Sequence, residues 1–397
     1  MTKLSDRINL LGESETLAMA KKSRELKEKG YDVINLSLGE PDFNTPDRIK
    51  EAAKKAIDNN YTFYTPVNGY QDARQAVCNK LKRDNNLDYT AEQIVLTTGG
   101  KQAIANAVLC LANPGEEVII PKPFWVSYRQ IVKMAEAKEV YIDTDITTDF
   151  KITPEQLEKA ITPKSKLFMF SSPCNPSGTV YTKDELAALA KVFEKHPHVY
   201  IMSDEIYEYI VFDGKHESIA QFDSIKDRVI IINGLSKGYA MTGWRLGYSA
   251  SNLDIAKACT KLQGQFTSAT CSITQRTVIE AMSMGAEDVK SMLEKFRERR
   301  DLVLELMKDI PGVITNKPQG AFYVFADIKS YLGKKDGDYV IKTAEDLAMY
   351  LLNTVHVAMV SGDAFGSPDC IRFSYATSND LLIEAVKRIK IGLSRLK

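Results

Sequence analysis

The chain has no excess of charge in either direction. Its 397 residues hold 52 basic and 52 acidic side chains, which excludes the long-range field that nucleic acid or an anionic membrane surface would need. Any anion recognition must therefore come from a few placed lysines and arginines. Long apolar runs are missing too, and none approaches the roughly 20 residues that span a bilayer. The opening stretch MTKLSDRINLLGESETLAMAKKS has no unbroken apolar core and no small-residue cleavage site, so it does not read as a signal peptide. Cysteine is scarce and scattered. Cys78, Cys110, Cys174, Cys259, Cys271 and Cys370 form no CxxC pair, which points to free thiols, a reducing compartment and a cytoplasmic location. The histidines make no ligand pattern: His196 and His198 fall in a loop-like stretch while His216 and His356 stand alone, so no metal site is expected. No internal repeat or low-complexity tract is present.

What is there is an ordinary globular composition, 44% hydrophobic and 26% charged, on a chain too long for one simple core. Residues 16–30 read as an amphipathic helix stopped by Gly30. An apolar stretch from Val33 to Leu38 then runs into the turn GEPDF. Between about 90 and 250, short β-branched runs (IVLTT, EVIIP, KLFMFSS, VYIMSDE, VIIINGL) are separated by helix-like segments at 101–111, 183–195 and 253–263. That alternation predicts an α/β fold with a mostly parallel sheet covered on both faces. Ligands of such sheets bind beyond the carboxyl ends of the strands. Those ends carry TTGGK, SSPCNPSG, SDEIY and GLSK, which together read as one site. Further on, helical patterns near 286–309 and 343–353 flank the strands GAFYVFADI and CIRFSYA, the pattern of a smaller α+β domain joined by the N-terminal segment. The segment 330–340 is the most loop-like interior stretch.

Individual residues then suggest chemistry, each beside a plainer alternative. Lys237, in SKGYA, sits at the mouth of the sheet, with Gly234 and Gly238 leaving room, Ser236 offering a hydroxyl and Arg245 following. A desolvated lysine near other cations has a lowered pKa and serves as a Schiff-base nucleophile; most lysines only decorate a surface. Asp204 either caps a helix after its strand or holds a proton on a pyridine nitrogen, with Tyr207 one turn on. Asn175 belongs either to a simple NPSG turn or to a contact with a phenolate or carboxylate. The strand–GG–helix order of TTGGKQAI is either a tight turn or a phosphate cradle at Gly100 and Lys101, with Ser236 and Arg245 as further partners. Arg372 is either a strand-end surface arginine or a fork for an α-carboxylate. Trp125 is either a core aromatic or a stacking partner for a flat ring.

The set GEPDF (39–43), YTPVNGY (64–70), GGKQA (99–103), PFW (123–125), NPSG (175–178), SDEIY (203–207), SKGYAMTGWRLGY (236–248), GAFY (320–323) and RFSYA (372–376) resembles the class I aminotransferases of the fold-type-I pyridoxal-phosphate enzymes. The similarity covers essentially the whole chain and is nearest to the subgroup of bacterial aspartate aminotransferases that includes prephenate-using members. The resemblance implies a large domain at 45–285, with a mostly parallel seven-stranded sheet between helices. It implies a smaller α+β domain, made of 1–44 and 286–397, that closes over the site. Pyridoxal 5'-phosphate is the implied cofactor. Lys237 matches the lysine that carries it and shuttles the substrate proton. Asp204 matches the partner of its ring nitrogen, and Tyr207 and Asn175 those of its ring oxygen. Gly100, Lys101, Ser236 and Arg245 match its phosphate cup. Tyr64 matches a tyrosine that reaches the neighbouring subunit's phosphate, so a homodimer with shared sites is implied. Arg372, helped by Asn175 and the Gly39 backbone, matches the clamp on the substrate α-carboxylate, and Trp125 the residue packed over the ring.

For the substrate, the resemblance implies transfer from L-aspartate to 2-oxoglutarate by a ping-pong cycle, with Lys101 approaching the distal carboxylate. Aromatic amino acids or prephenate/arogenate are the alternative substrates. Relatives that use prephenate carry a lysine near the N-terminus, just before a Ser-x-Thr; here Ser14-Glu15-Thr16 is present but the position corresponding to that lysine is Gly12. The 330–340 insertion is expected to lie where it could reshape the site entrance. An elimination reaction on the same fold is a further alternative, whereas a non-catalytic role is less compatible with an intact Lys237.

Overall fold

In the computed structural model, which describes residues 4–397, the β-branched runs become strands of one sheet. They are β1 (Ile94–Thr97), β2 (Glu117–Pro121), β3 (Lys138–Ile142), β4 (Ser165–Ser171), β5 (Tyr200–Asp204), β6 (Val229–Gly234) and β7 (Gly247–Ala250). The spatial order is β1-β7-β6-β5-β4-β2-β3. β7 runs antiparallel to both neighbours, and every other pairing is parallel. Successive side chains point to opposite faces of a strand, and both faces here are apolar. Ile119, Phe168, Ile201 and Ile231 enter one buried layer, and Val118, Leu167, Met202 and Ile230 the other. Each fully buried aliphatic contributes about 1.5–3 kcal/mol, so helices must cover both sides.

The helices begin and end where local chemistry dictates. Residues 16–30 give α1 (Glu15–Glu28), and Gly30 follows it at φ +90°. Next come α2 (Gly100–Leu111), directly after β1, and α3 (Ser127–Met134), after β2. α4 (Lys183–Lys195) starts at a reciprocal cap in which the Thr182 hydroxyl accepts from the Glu185 N–H and Glu185 accepts from the Thr182 N–H. α5 (Leu253–Phe266) is capped by the Asn252 side chain, 2.9 Å from the Ile255 nitrogen.

The second part of the chain builds a smaller antiparallel sheet from β8 (Ile314–Thr315), β9 (Tyr323–Asp327), β10 (Val360–Ser361) and β11 (Cys370–Ser374), in the order β10-β11-β9-β8. Helices α6 (Lys290–Met307), α7 (Ala344–Val355) and α8 (Asn379–Ser394) pack around it. The N-terminal segment joins this part, since Ile34–Asn35 pairs in parallel with Val357–Ala358.

Two expectations are corrected. The 330–340 segment is not an entrance loop. It contains a two-stranded hairpin, Lys335–Asp336 with Tyr339–Val340, whose Lys335 exchanges backbone hydrogen bonds with Lys397 and whose Asp336 accepts from the Tyr350 hydroxyl. It therefore pins the C-terminus, and none of it lines the cavity described below. His216 does not stand alone: its Nε2 lies 3.0 Å from a Glu205 carboxylate oxygen. Among the described residues, no helix is long and apolar enough to cross a membrane.

Candidate active site

The chain passes from β2 outward to β3 and then returns to place β4 on the other side of β2, so strand order reverses between β2 and β4. A crevice beyond the carboxyl ends is the expected consequence. Trp125 follows β2, Asn175 follows β4, Asp204 ends β5 and Lys237 follows β6. All four line a cavity of about 340 Å³, with Gly39, Tyr323 and Arg372 closing it from the side of the smaller sheet. Gly100, Lys101, Tyr207, Ser236 and Arg245 line it as well. Tyr64 does not. It is 99% exposed, outside the cavity.

Lys237 donates from Nζ to the Gly39 carbonyl and lies 5.7 Å from the Tyr207 ring centre and 5.8 Å from that of Phe322. Burial pulls its pKa down to about 8; Arg372 and Arg245 push the same way, against Glu40 and Asp204. The amine is thus available in its neutral, nucleophilic form near physiological pH.

Asp204 is buried, with Oδ2 accepting from the Tyr128 hydroxyl at 2.6 Å and Oδ1 from the Ile206 N–H at 3.3 Å. Burial raises its pKa to about 6 despite the Tyr128 hydrogen bond. A carboxylate held this way is suited to a cationic N–H partner in the cavity. Tyr128 was missed in the sequence because it sits inside α3, where its spacing reads as ordinary core. Its ring also packs edge-on against Trp125, with centroids 5.7 Å apart. The Tyr207 hydroxyl is 2.8 Å from that of Tyr323, another residue the sequence did not single out. Burial, then Tyr323, holds the Tyr207 phenol well above its ordinary pKa, so it is a neutral donor.

One end of the cavity is built for an anion. Gly99 sits at φ +79° and starts α2, whose first residues are Gly100 and Lys101. Free N–H groups and the positive end of the helix dipole converge there. A Cβ on Gly99 would collide with the Arg245 guanidinium. Arg245, itself left-handed at φ 54°, is held by the Thr242 carbonyl at 2.9 Å. Ser236 is buried and lines the same cavity. Lys101 Nζ lies 5.0 Å from the Trp125 ring centre, and burial, then Arg245, lowers its pKa.

The opposite end carries Arg372, 1% exposed. Nη1 donates to Asn175 Oδ1 at 2.9 Å and Nη2 to the Ser37 carbonyl, while Nε is buried with no partner. The guanidinium is stacked between Tyr323, 4.6 Å away, and Phe365, 4.9 Å away. A buried charge with an unused donor calls for an anionic partner. Gly39 is tight against this end, since a Cβ there would lie 2.5 Å from the Tyr323 hydroxyl. Ser14 and Thr16 reach the cavity wall. Gly12 lies off it, its N–H bonded to Gln130 Oε1 at 3.1 Å.

Comparison with known proteins finds full-length relatives of the same fold. The sequence matches the family described as aminotransferase class I and II over residues 31–389. The aspartate/prephenate aminotransferase of Cereibacter sphaeroides is 46% identical over 98% of both chains. An aspartate aminotransferase of Pinus pinaster is 44% identical over 99% of this chain and 81% of its own. The crystal structure of the aspartate aminotransferase from Rhizobium meliloti superposes over the whole of both chains with a TM-score of 0.96 at 40% identity. That of the Thermus thermophilus enzyme with maleate gives 0.93 at 36% identity, over 99% of this chain and 100% of its own.

Proposed function

The chain belongs to the class I and II aminotransferases, and on that premise we propose that it binds pyridoxal 5'-phosphate at Lys237 and transfers the amino group of L-aspartate to 2-oxoglutarate. The observation that carries this reading is a single cavity lined by Lys237, an anion-binding helix start and a buried arginine with an unused donor. The residues fit the cofactor: a Schiff-base lysine, a carboxylate for a ring nitrogen, a neutral phenol for a ring oxygen, and an arginine with a helix N-terminus for a phosphate. When bound, it supplies a sink for the electron pair left when the substrate Cα loses its proton.

The chain's own residues do the rest. Arg372 and Asn175 hold the α-carboxylate and so fix the orientation of the Cα–H bond. Lys237, in its neutral form, would take the proton from the substrate Cα and deliver it to the carbon on the other side of the substrate nitrogen. Asp204 would hold a proton on the ring nitrogen, and Tyr207 would donate to the ring oxygen. Trp125 covers the site and excludes water. Oxaloacetate leaves after the first half of the cycle and L-glutamate after the second.

Aspartate as donor rests on Lys101 at the anion-binding end, on the names of the relatives, and on the Thermus thermophilus neighbour, solved with maleate, a four-carbon diacid. A second reading, use of prephenate, is favoured by the name of the Cereibacter sphaeroides relative. Gly12, which offers no cation, weighs against it. We read residues 45–285 as the large domain and 1–44 with 286–397 as the small domain that closes over the site; the pairing of Ile34–Asn35 with Val357–Ala358 supports this division. A homodimer with shared sites is inferred from the exposed Phe63 and Tyr64 and from Arg245, which is exposed at the cavity rim. Six free cysteines favour a cytoplasmic role in amino-acid metabolism.

The test is the absorbance spectrum of the purified protein with pyridoxal phosphate, before and after L-aspartate without any oxo acid. The expected result is a visible band that is lost on adding aspartate. A band indifferent to aspartate refutes the donor, and absence of a band refutes the cofactor.

A further inference from the structure

The turn that presents Asp204 and Tyr207 to the cavity has a second side, on which Lys80, Glu205, Glu208 and His216 are buried together. Lys80 and Glu205 are 0% exposed. Glu205 Oε1 accepts from the hydroxyls of Ser203 at 2.8 Å and Ser218 at 2.6 Å, and Oε2 accepts from His216 Nε2 at 3.0 Å. Glu208 pairs with the Lys80 ammonium, which also donates to Asn85 Oδ1 at 2.8 Å. The ligating atoms of Glu205, Glu208 and His216 lie within 4.8 Å of one another, and the cation paired with Glu208 is Lys80. The proposed mechanism uses none of these groups. Burying paired charges is at best neutral for stability compared with an apolar cluster, so stability alone does not account for them.

We infer that Glu205 is a positioning residue for the aminotransferase reaction, held from behind by Ser203, Ser218 and His216 so that the turn carrying Asp204 and Tyr207 is fixed against the cavity. The chain leaves the sheet at Asp204. Beyond it, a few backbone bonds hold the turn: the Glu205 N–H to the Ile232 carbonyl at 2.8 Å, the Glu208 N–H to the Glu205 carbonyl at 2.9 Å, the Ile210 N–H to the Tyr207 carbonyl at 2.7 Å and the Ala321 N–H to the Ile210 carbonyl at 2.9 Å. No ladder continues through residues 205–210. Side chains 204 and 207 face the site, and 205 and 208 face the rear cluster, so an anchor at 205 is transmitted through one peptide unit to Asp204. Three donors on one carboxylate leave Glu205 little freedom to move.

This inference rests on the reading of Asp204 and Tyr207 as cofactor contacts. The test is Glu205→Gln, which keeps the shape and removes the charge. Three quantities are read: the dissociation constant of pyridoxal phosphate from the protein, kcat and KM for the amino donor, and the pH midpoint of the visible band. The expected result is about tenfold weaker cofactor retention, the scale of one charge-assisted hydrogen bond. kcat should fall with KM unchanged, since Arg372 and Asn175 lie on other segments, and the band midpoint should shift. A folded variant with native cofactor retention, kcat and band midpoint overturns the inference, even if its melting temperature is lower. Native protein that takes up no pyridoxal phosphate refutes the proposed function instead. Should Glu205→Gln fail to fold, Ser218→Ala removes a single donor and is read in the same way.

Discussion

The hydroxyl of Tyr207, on the turn after β5, lies 2.8 Å from the hydroxyl of Tyr323, the first residue of β9. This contact joins the carboxyl end of the large sheet's central strand to the small sheet, and both side chains are buried. In Tyr323→Phe the Tyr207 hydroxyl loses that partner, at a cost of about 1–3 kcal/mol for a buried unsatisfied group. Bound pyridoxal phosphate would give it a replacement acceptor. The melting temperature of the cofactor-free protein should therefore drop more than that of the loaded protein. Equal drops in both forms would show that Tyr207 does not turn to the cofactor.

Lys237 has its pKa lowered to about 8, first by burial and then by Arg372 and Arg245. Only the neutral amine attacks an aldehyde. The rate at which cofactor-free protein captures pyridoxal phosphate should rise about tenfold from pH 7 to pH 9 and then level off. An ordinary lysine would give a rate still climbing at pH 10, and stopped-flow absorbance distinguishes the two profiles.

Asp204 is the opposite case. Burial raises its pKa from 3.8 to about 6. Between those values the folded chain binds more protons than the unfolded chain, so stability falls as pH rises through that window, and the loss is complete at pH 7. Asp204→Asn should accordingly stabilise the cofactor-free protein at pH 7 by roughly 1–3 kcal/mol, while transamination is lost. Denaturant unfolding at pH 7 and pH 4 checks the sign, because the gain should shrink at the lower pH.

Much of this site was legible because its residues announce themselves locally. Gly99 and Gly100 stand between a β-branched strand and a helix, and Asn175 and Lys237 follow strands whose ends must converge. Tyr128 and Tyr323 were not legible, since an inward-facing tyrosine on a helix or strand has the same pattern whether it meets a core or a catalytic carboxylate. Two strands also escaped. β3, KEVYI, is an edge strand in which only Ile142 is fully buried, and β7, GYSA, is short and small. The size of β7 has a cause visible only in three dimensions: a side chain at Gly247 would strike the backbone of Gly99 and Gly100. The pairing of His216 with Glu205 depends on residues 11 apart meeting across a loop, which no periodicity encodes.

Arg372 holds two fixed partners, Asn175 and the Ser37 carbonyl, and leaves Nε free. Lysine at this position keeps the charge but loses the fork. Arg372→Lys should raise KM for aspartate by about 10–150-fold, the equivalent of roughly 1.5–3 kcal/mol for a charge-assisted hydrogen bond. A simple amine without an α-carboxylate should react with the variant and the native protein at similar rates. If both donors suffer equally, the arginine is holding the fold and not the substrate.

Gly99 offers the sharpest test of the anion-binding end. Its φ of +79° is one that side chains rarely adopt, and the space a Cβ would take is filled by the Arg245 guanidinium. Gly99→Ala must therefore displace Arg245, shift the start of α2, or both. Either outcome pulls apart the two groups that converge on the anion, while Lys237, Asp204 and Arg372 lie on other segments. Affinity for pyridoxal phosphate should fall by about tenfold or more. Affinity for pyridoxal, which lacks the phosphate, should stay close to native. Measured side by side by absorbance titration, equal losses for the two compounds would mean that the phosphate sits elsewhere. A loss confined to pyridoxal phosphate ties the phosphate to the junction of Gly99, Gly100 and Arg245.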